Sequence, residues 1–484
     1  MKKWVGCLSV MLAAGLVFGG CSKSASGKLD PDNPVSITVW HYYNGNQQEA
    51  FDQLVDEFNS TVGKEKGVYV TGYSQGSVDQ LEENVMASVK EEVGSDEKPN
   101  IFSSYADTAY AIEQMGELAD IGKYVSEEEL DEYVDSYIEE GRIGKNGELR
   151  IFPTAKSTEI FMMNKDAWEA FAAENDVSVE DLSTKEGLAK VAELYYQWTD
   201  AKTPDVPGDG KAFYGRDSMA NLFIVGCMQL GTEIFQVKDG NVTIHAEKDD
   251  MKKIWDNYYV PYVKGYYSSY GRFRSDDVKT GEIVAFTGSS TSSMYFPDEV
   301  EIDGQTESIG YMVLPVPEFE GKEKYAVQQG AGMAVMKGTE EEEQGAVEFL
   351  KWFTKEENNI TFGCESGYIP VKKSAYDKKV LDQMIKEKGL QVADKTYDSL
   401  LVGYDTVDTH TLYTNKAFEG GASARKVLEY NMADQMVENR QAVKAAMDAG
   451  ASLDEAVQDY ISEDAFEQWY QGFTQALEDS IKNS

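Results

Sequence analysis

Val35-Ser36-Ile37-Thr38-Val39-Trp40-His41-Tyr42-Tyr43-Asn44-Gly45 is followed at helical spacing by Phe51, Leu54, Val55 and Phe58. Its first part alternates apolar and hydroxyl residues with the period of two that a half-buried strand requires. Asn44-Gly45 then supplies a turn, and the later apolar residues line one helix face. The stretch reads as strand, loop and helix. The same order recurs downstream: Val68 and Val70 mark a strand, Leu81, Val85 and Val89 a helix face, and Ile101-Phe102 a third strand ahead of a helix over 108–118. Strands alternating with helices imply a parallel sheet with right-handed crossovers, hence an α/β fold.

Open parallel sheets bind their ligands beyond the carboxyl ends of the strands. Three loops then converge on one edge: Trp40-His41-Tyr42-Tyr43-Asn44-Gly45, Ser74-Gln75-Gly76-Ser77 and Ser103-Ser104-Tyr105-Ala106-Asp107. Aromatic rings offer flat apolar faces, and the hydroxyls and amides beside them can hydrogen-bond a neutral, polyhydroxylated molecule. Trp40, His41, Tyr42, Ser74, Tyr105 and Asp107 are the candidate site residues of these loops. As core aromatics closing a strand, Trp40 and Tyr42 would have a purely structural role.

Farther along, Phe286-Thr287-Gly288-Ser289-Ser290-Thr291-Ser292-Ser293 runs from a strand into a helix start rich in hydroxyls. Such a start can hold a phosphate or sugar hydroxyls, or can simply cap itself. Asp256-Asn257-Tyr258-Tyr259-Val260-Pro261-Tyr262 with Tyr266-Tyr267 is dense in aromatics, of which one ring is expected to face a cleft. Thr339 and Glu342 have capping-box spacing ahead of Ala346, Phe349, Leu350 and Phe353, and 424–481 reads as mostly helical.

In the other direction, Lys2 and Lys3 precede an apolar run from Trp4 to Phe18 and then Gly19-Gly20-Cys21. The run is short of the roughly 20 apolar residues that a bilayer span needs, and small residues ahead of the cysteine suit a peptidase. Leu16-Val17-Phe18-Gly19-Gly20-Cys21 resembles a bacterial lipobox, which implies a leader over 1–20, lipidation of Cys21 and an extracytoplasmic protein held to a membrane by lipid. Residues 21–33 are small and polar and read as a flexible tether.

The chain of 484 residues has 45 Lys and Arg against 85 Asp and Glu, a formal net charge of −40. Loss of Lys2 and Lys3 would make it two charges more acidic. Such a surface repels phosphate backbones, which argues against nucleic-acid binding. His41, His245 and His410 are far apart and lack metal-ligand spacing, and no Gly-x-Ser-x-Gly or His-Glu-x-x-His occurs. No catalytic residue, metal or cofactor is expected, although a glycan-acting enzyme using a carboxylate pair such as Glu159 with Asp217 is a rival class.

These pieces resemble the bacterial extracellular solute-binding proteins of family 1, the sugar-type receptors of ABC importers. The resemblance is carried by the lipobox, Ile37-Thr38-Val39-Trp40-His41, Ile151-Phe152-Pro153-Thr154-Ala155-Lys156-Ser157-Thr158 leading to Met163-Asn164-Lys165, Gly330-Ala331-Gly332-Met333-Ala334-Val335, Phe349-Leu350-Lys351-Trp352-Phe353 and Gly367-Tyr368-Ile369-Pro370-Val371. It implies a two-lobed, type II periplasmic-binding-protein fold with three hinge crossings. Mapped here, one lobe is 34–153 plus 315–368 and the other 158–312 plus 372–484. It also implies capture of a small-molecule solute by lobe closure, delivery to ABC permease subunits, and a monomer. Cys227 and Cys364 then fall in different lobes, where a disulfide would tie the hinge, so both are expected as free thiols. Trp40-His41 with Gly45 looks closest to the glycerol-3-phosphate-binding branch, whose ligand contacts match Ser74, Tyr105, Ser157, Ser289 or Ser290, Gly330 and Tyr368 here. The branch's phosphate-pairing arginine falls near Phe418, and Arg425 reads as helix surface. A mono- or oligosaccharide and a polyol or sugar phosphate both stay open as ligands, and a surface glycan adhesin or sensor would share the fold.

Overall fold

Strand β1 (Val35–His41) buries Ile37, Val39 and His41 on one face and Trp40 on the other, so the sheet it founds needs cover on both sides. The computed structural model describes residues 29–482 except 207, 239 and 303; the leader, Cys21 and the start of the tether lie outside the described residues. Helix α1 (Gly45–Ser60) lays Phe51, Leu54, Val55 and Phe58 against the first face. β2 (Val68–Ser74) pairs with β1 in parallel. α2 (Val78–Val89) covers the second face with Leu81, Val85 and Val89. β3 (Ile101–Ser104) follows in parallel on the other side of β1, and α3 (Ala106–Gln114) adds Ala109 and Ile112 to the second face. α3 starts earlier than its sequence pattern suggests, and it ends earlier because Gly116 turns the chain in the left-handed region (φ +78°). The chain leaves this sheet after β4 (Ile151–Phe152).

The second sheet begins with β5 (Glu159–Asn164), every residue of which is buried. It continues through β6 (Tyr214–Arg216), β7 (Ala285–Ser289) and β8 (Tyr311–Leu314) in the order β8-β5-β7-β6. After β6 the chain forms α4 (Met219–Leu230). The chain then returns to the first sheet as β9 (Gly332–Val335), which lies between β3 and β4 and antiparallel to both. The first sheet is therefore mixed, in the order β2-β1-β3-β9-β4, and not purely parallel. β9 arrives from the second lobe instead of by a local crossover helix, so nothing constrains it to the direction of its neighbours.

α5 (Glu340–Phe353), opened by the Thr339–Glu342 capping box, completes the first lobe's cover with Phe349, Leu350 and Phe353. α6 (Glu356–Ser366) and α7 (Asp394–Thr409) meet in a cluster of Ile360, Cys364, Ile369, Leu381, Leu400 and Tyr404. α7 also packs on β8 and β5, so this cluster joins the lobes. α8 (Gly421–Asp448) and α9 (Glu463–Lys482) close the second lobe over Phe223, Trp255, Trp469 and Phe473. Tyr258, Tyr259, Tyr262, Tyr266 and Tyr267 are all buried in that core, and Trp255 stacks on Tyr259 at 3.4 Å. None of the five faces the cleft between the lobes; the π-helical turn Trp255–Tyr259 turns Tyr258 and Tyr259 into this core.

The segments around Lys156, Gln329 and Ile369 run side by side. Lys156 and Ile369 exchange backbone hydrogen bonds (3.0 and 2.6 Å), as do Ser157 and Gln329 (2.8 and 3.0 Å). Of the expected tether, half-buried Leu29 joins the first lobe's core, the Asp30 backbone lies so close to Gly67 that a side chain there would clash, and residues 30–33 are exposed. Cys227 and Cys364 are free and buried. Among the described residues no helix is long and apolar enough to cross a membrane.

Candidate functional site

A cavity of about 360 Å³ opens between the lobes. The first lobe contributes Asp79, Glu82, Tyr105, Asp107 and Glu140; the second contributes Asn221, Arg425, Lys426, Glu429 and Tyr430; Gln328 and Gln329 of the connecting segment form its floor. The volume is at the lower end of the roughly 300–1,000 Å³ usual for small-molecule sites. Tyr105 and Tyr430 are the exposed rings, at 37% and 57%.

A chain of hydrogen bonds aims the polar groups. Arg216 Nη2 donates to both oxygens of buried Glu159 (2.9 and 2.8 Å). Asn221 Nδ2 donates to Glu159 Oε1 and to Gln329 Oε1, each at 3.0 Å, which turns its Oδ1 outward to accept from Arg425 Nη2 at 2.8 Å. The guanidinium of Arg425 is thus oriented from behind and keeps further donors free for a ligand. Glu140 accepts from buried Lys156 Nζ (2.6 Å) and from Gln328 Nε2. Glu429 accepts from Ser218 Oγ and from the N–H groups of Met219 and Ala220, where it caps α4. Glu140 and Glu429 are therefore occupied by the protein itself.

Asp107 is different. Its Oδ1 is buried without a hydrogen-bond partner, and desolvation raises its carboxyl to about 6 against the pull of Arg425. Behind Tyr105, the hydroxyls of Tyr42 and Tyr368 stand 3.4 Å apart, and that of Tyr105 interacts with Tyr42. Burial holds Tyr42 and Tyr368 well above the usual tyrosine range, so both remain protonated donors.

The sequence candidates divide accordingly. Tyr105 and Asp107 line the cavity, with Tyr42 and Tyr368 directly behind. Trp40 is a core residue, packed with Leu81, Val85 and Phe102, because strand alternation turns it toward α2 and α3. His41 is fully buried against Phe51 and Tyr43, accepts from the Tyr43 N–H at Nδ1 (3.2 Å), and is pushed down to about 4 by burial. Ser74 Oγ donates to the Tyr43 carbonyl (2.9 Å), which holds two of the loops together. Ser157 contributes its backbone to the pairing with Gln329. Gly330, at φ +88°, brings its carbonyl to Lys156 Nζ (2.8 Å). Ser289 accepts from the Thr291 N–H and hydroxyl, and buried Ser290 donates to the Gly367 carbonyl (3.2 Å), so this serine run mainly caps and ties its own segments. Phe418 is core, and Arg425, taken from sequence as helix surface, faces the cavity. Glu159 and Asp217 are held by Arg216 and by the Arg274 N–H respectively.

A sequence model of the bacterial extracellular solute-binding proteins matches residues 53–390. The chain belongs to that family. Solved structures agree over nearly the whole chain. The cyclic α-maltosyl-1,6-maltose binding protein of Arthrobacter globiformis superposes with a TM-score of 0.64 at 18% identity, covering 93% of this chain and all of the other. UgpB from Mycobacterium tuberculosis, in complex with glycerophosphocholine, gives 0.65 at 16% identity over 93% and 99%. The ABC substrate-binding protein Lmo0181 from Listeria monocytogenes, in complex with cycloalternan, gives 0.62 at 14% over 92% and 99%. No curated protein sequence matches. At these identities the solved structures establish the two-lobed α/β fold of solute receptors. The fold and family are those of binding proteins, and the family is extracytoplasmic.

Proposed function

We propose that this protein is the substrate-binding lipoprotein of an ABC importer and that it captures a neutral mono- or oligosaccharide between closing lobes. The carrying observation is the cavity itself. Its unpartnered groups, the Asp107 carboxylate, Gln328 Oε1 and the spare Arg425 donors, share the cavity lining with two exposed tyrosine rings, an arrangement suited to vicinal hydroxyls and a sugar face. Contacts to both lobes favour the closed form, and only such differential affinity moves the equilibrium. Cys21 would carry the lipid after removal of 1–20, and the permease would accept the closed monomer. The hinge is assigned to the paired segments around Lys156, Gln329 and Ile369.

A second reading rests on Arg425 and Lys426, adjacent cations on the cavity wall that could pair with a phosphate. The carboxylates of Asp79, Glu82 and Asp107 on the facing wall oppose it, since they repel an anion at close range. A thermal-shift screen separates the two. A true ligand at a hundred times its Kd stabilises by about 2.7 kcal/mol, enough to raise the melting temperature by a few degrees. Shifts with maltooligosaccharides or other neutral sugars support the carbohydrate reading. Shifts confined to glycerol-3-phosphate or glycerophosphodiesters overturn it.

A further inference from the structure

α8 is 28 residues long and has no side-chain cap at its start. Gly420 occupies the N-cap position at φ +84°, and Gly421 is the first helical residue. The N–H groups of a first helical turn have no acceptor within the helix, and the positive end of the helix dipole lies there. Most helices answer this with a Ser, Thr, Asp or Asn of their own. Here the Gly421 N–H donates back to the Phe418 carbonyl (3.0 Å), which leaves those of Ala422 and Ser423, and a candidate acceptor for them comes from the other lobe. A Cβ placed on Gly421 would fall 2.6 Å from Asp107 Oδ1, the buried oxygen without a partner. Arg425, one turn along α8, also attracts the Asp107 carboxylate, and Lys426 attracts Glu82 of α2. Gly421 is not in the left-handed region, so its backbone would accept alanine. What the missing side chain provides is room for the carboxylate.

We propose that Asp107 is the cap of α8 in trans: closure brings its carboxylate onto the first-turn N–H groups, so that the same contact completes the helix and seats the second lobe over the solute. This rests on the reading that the lobes close around a ligand. It makes Asp107 a positioning residue for closure. The buried, unpartnered oxygen is the cost of the present geometry, and a short further approach removes it by forming the capping bond.

The test uses spin labels on Met115→Cys and Val437→Cys, exposed positions in the first lobe and on α8, in a background carrying Cys7→Ser and Cys21→Ser; native Cys227 and Cys364 are buried. Interlabel distances are measured without sugar in the full chain, in Gly421→Ala, in Asp107→Ala and in the double variant, with melting curves to check folding. Gly421→Ala is expected to shift the distribution to longer distances by steric block. The double variant should return to the distribution of Asp107→Ala alone, because the clash is gone. A Gly421→Ala distribution identical to the parent's, or a double variant as open as Gly421→Ala, overturns the proposal. Maltotriose titration is the second arm. If it binds the parent, Gly421→Ala should weaken it by about 3- to 30-fold, the range that a helix cap spans. Failure of maltotriose to bind the parent counts against that sugar and leaves the distance result to decide the cap.

Discussion

Arg425 shows how a single side chain acquires a role from groups it does not resemble. The buried Glu159–Arg216 pair fixes Asn221, and Asn221 fixes Arg425, so the guanidinium is held before any ligand arrives. Preorganisation of this kind reduces the ordering cost of binding. Arg425→Ala should therefore weaken the solute found by the thermal-shift screen by about 10- to 100-fold, the usual worth of a charged hydrogen bond, with an unchanged melting temperature; calorimetric titration checks both. His41 makes the opposite kind of prediction, about stability. Its folded-state value of about 4 lies below the unfolded 6.5, so the unfolded chain binds the extra proton between those limits. Stability should fall as pH drops from 6.5 to 4 and level off below. In His41→Gln the melting temperature should vary less across that window; an equal slope in parent and variant would show that other groups carry it.

At the level of elements, Glu429 of α8 caps α4 through the Ser218 hydroxyl and two backbone N–H groups, and so holds the helix that presents Asn221. Glu429→Ala should cost about 0.5–2 kcal/mol of stability, seen as a fall of a few degrees in melting temperature, together with weaker solute binding as Asn221 loses its fixed position. The same contact marks what could be read in the sequence. β1, α1, β2 and α2 follow from local alternation and 3.6-residue spacing, and Thr339 and Glu342 announce α5 from three residues apart. Tyr105 and Asp107 of the cavity wall are legible as candidates because a strand end predicts its own loop. Arg425 and Tyr430 are not, because the α8 pattern gives a polar face without saying that another lobe stands opposite it. The core position of Trp40 is hidden for a related reason: alternation places it on one face of β1, and only the packing of α2 and α3 shows that this face is core. β9 carries a strand pattern, but its antiparallel direction depends on an excursion through the second sheet.

For the whole molecule, the question is whether two lobes with separate cores behave as one cooperative unit. Cys227 sits in the core of the second lobe, whereas Cys364 sits in the cluster where α6 meets α7 and the lobes join. Burial raises both thiols, Cys364 to about 12, so neither offers thiolate to a labelling reagent while the fold is intact. Each therefore reports the opening of its own surroundings. The α6–α7 cluster is apolar and continuous with packing on β5 and β8, and the segments around Lys156, Gln329 and Ile369 are paired through their backbones. Opening one lobe would strip apolar cover from the other, which argues for coupled unfolding. Both thiols should stay silent in native buffer and become reactive at the same urea midpoint, measured by mass after pulse labelling of each cysteine. A saturating solute should move both midpoints upward together, because a ligand held between Tyr105 of one lobe and Arg425 of the other stabilises the two lobes as a pair. Labelling of Cys227 at a lower midpoint than Cys364 would mean that the second lobe opens alone, and a solute effect confined to one thiol would place the ligand on a single lobe and not between them.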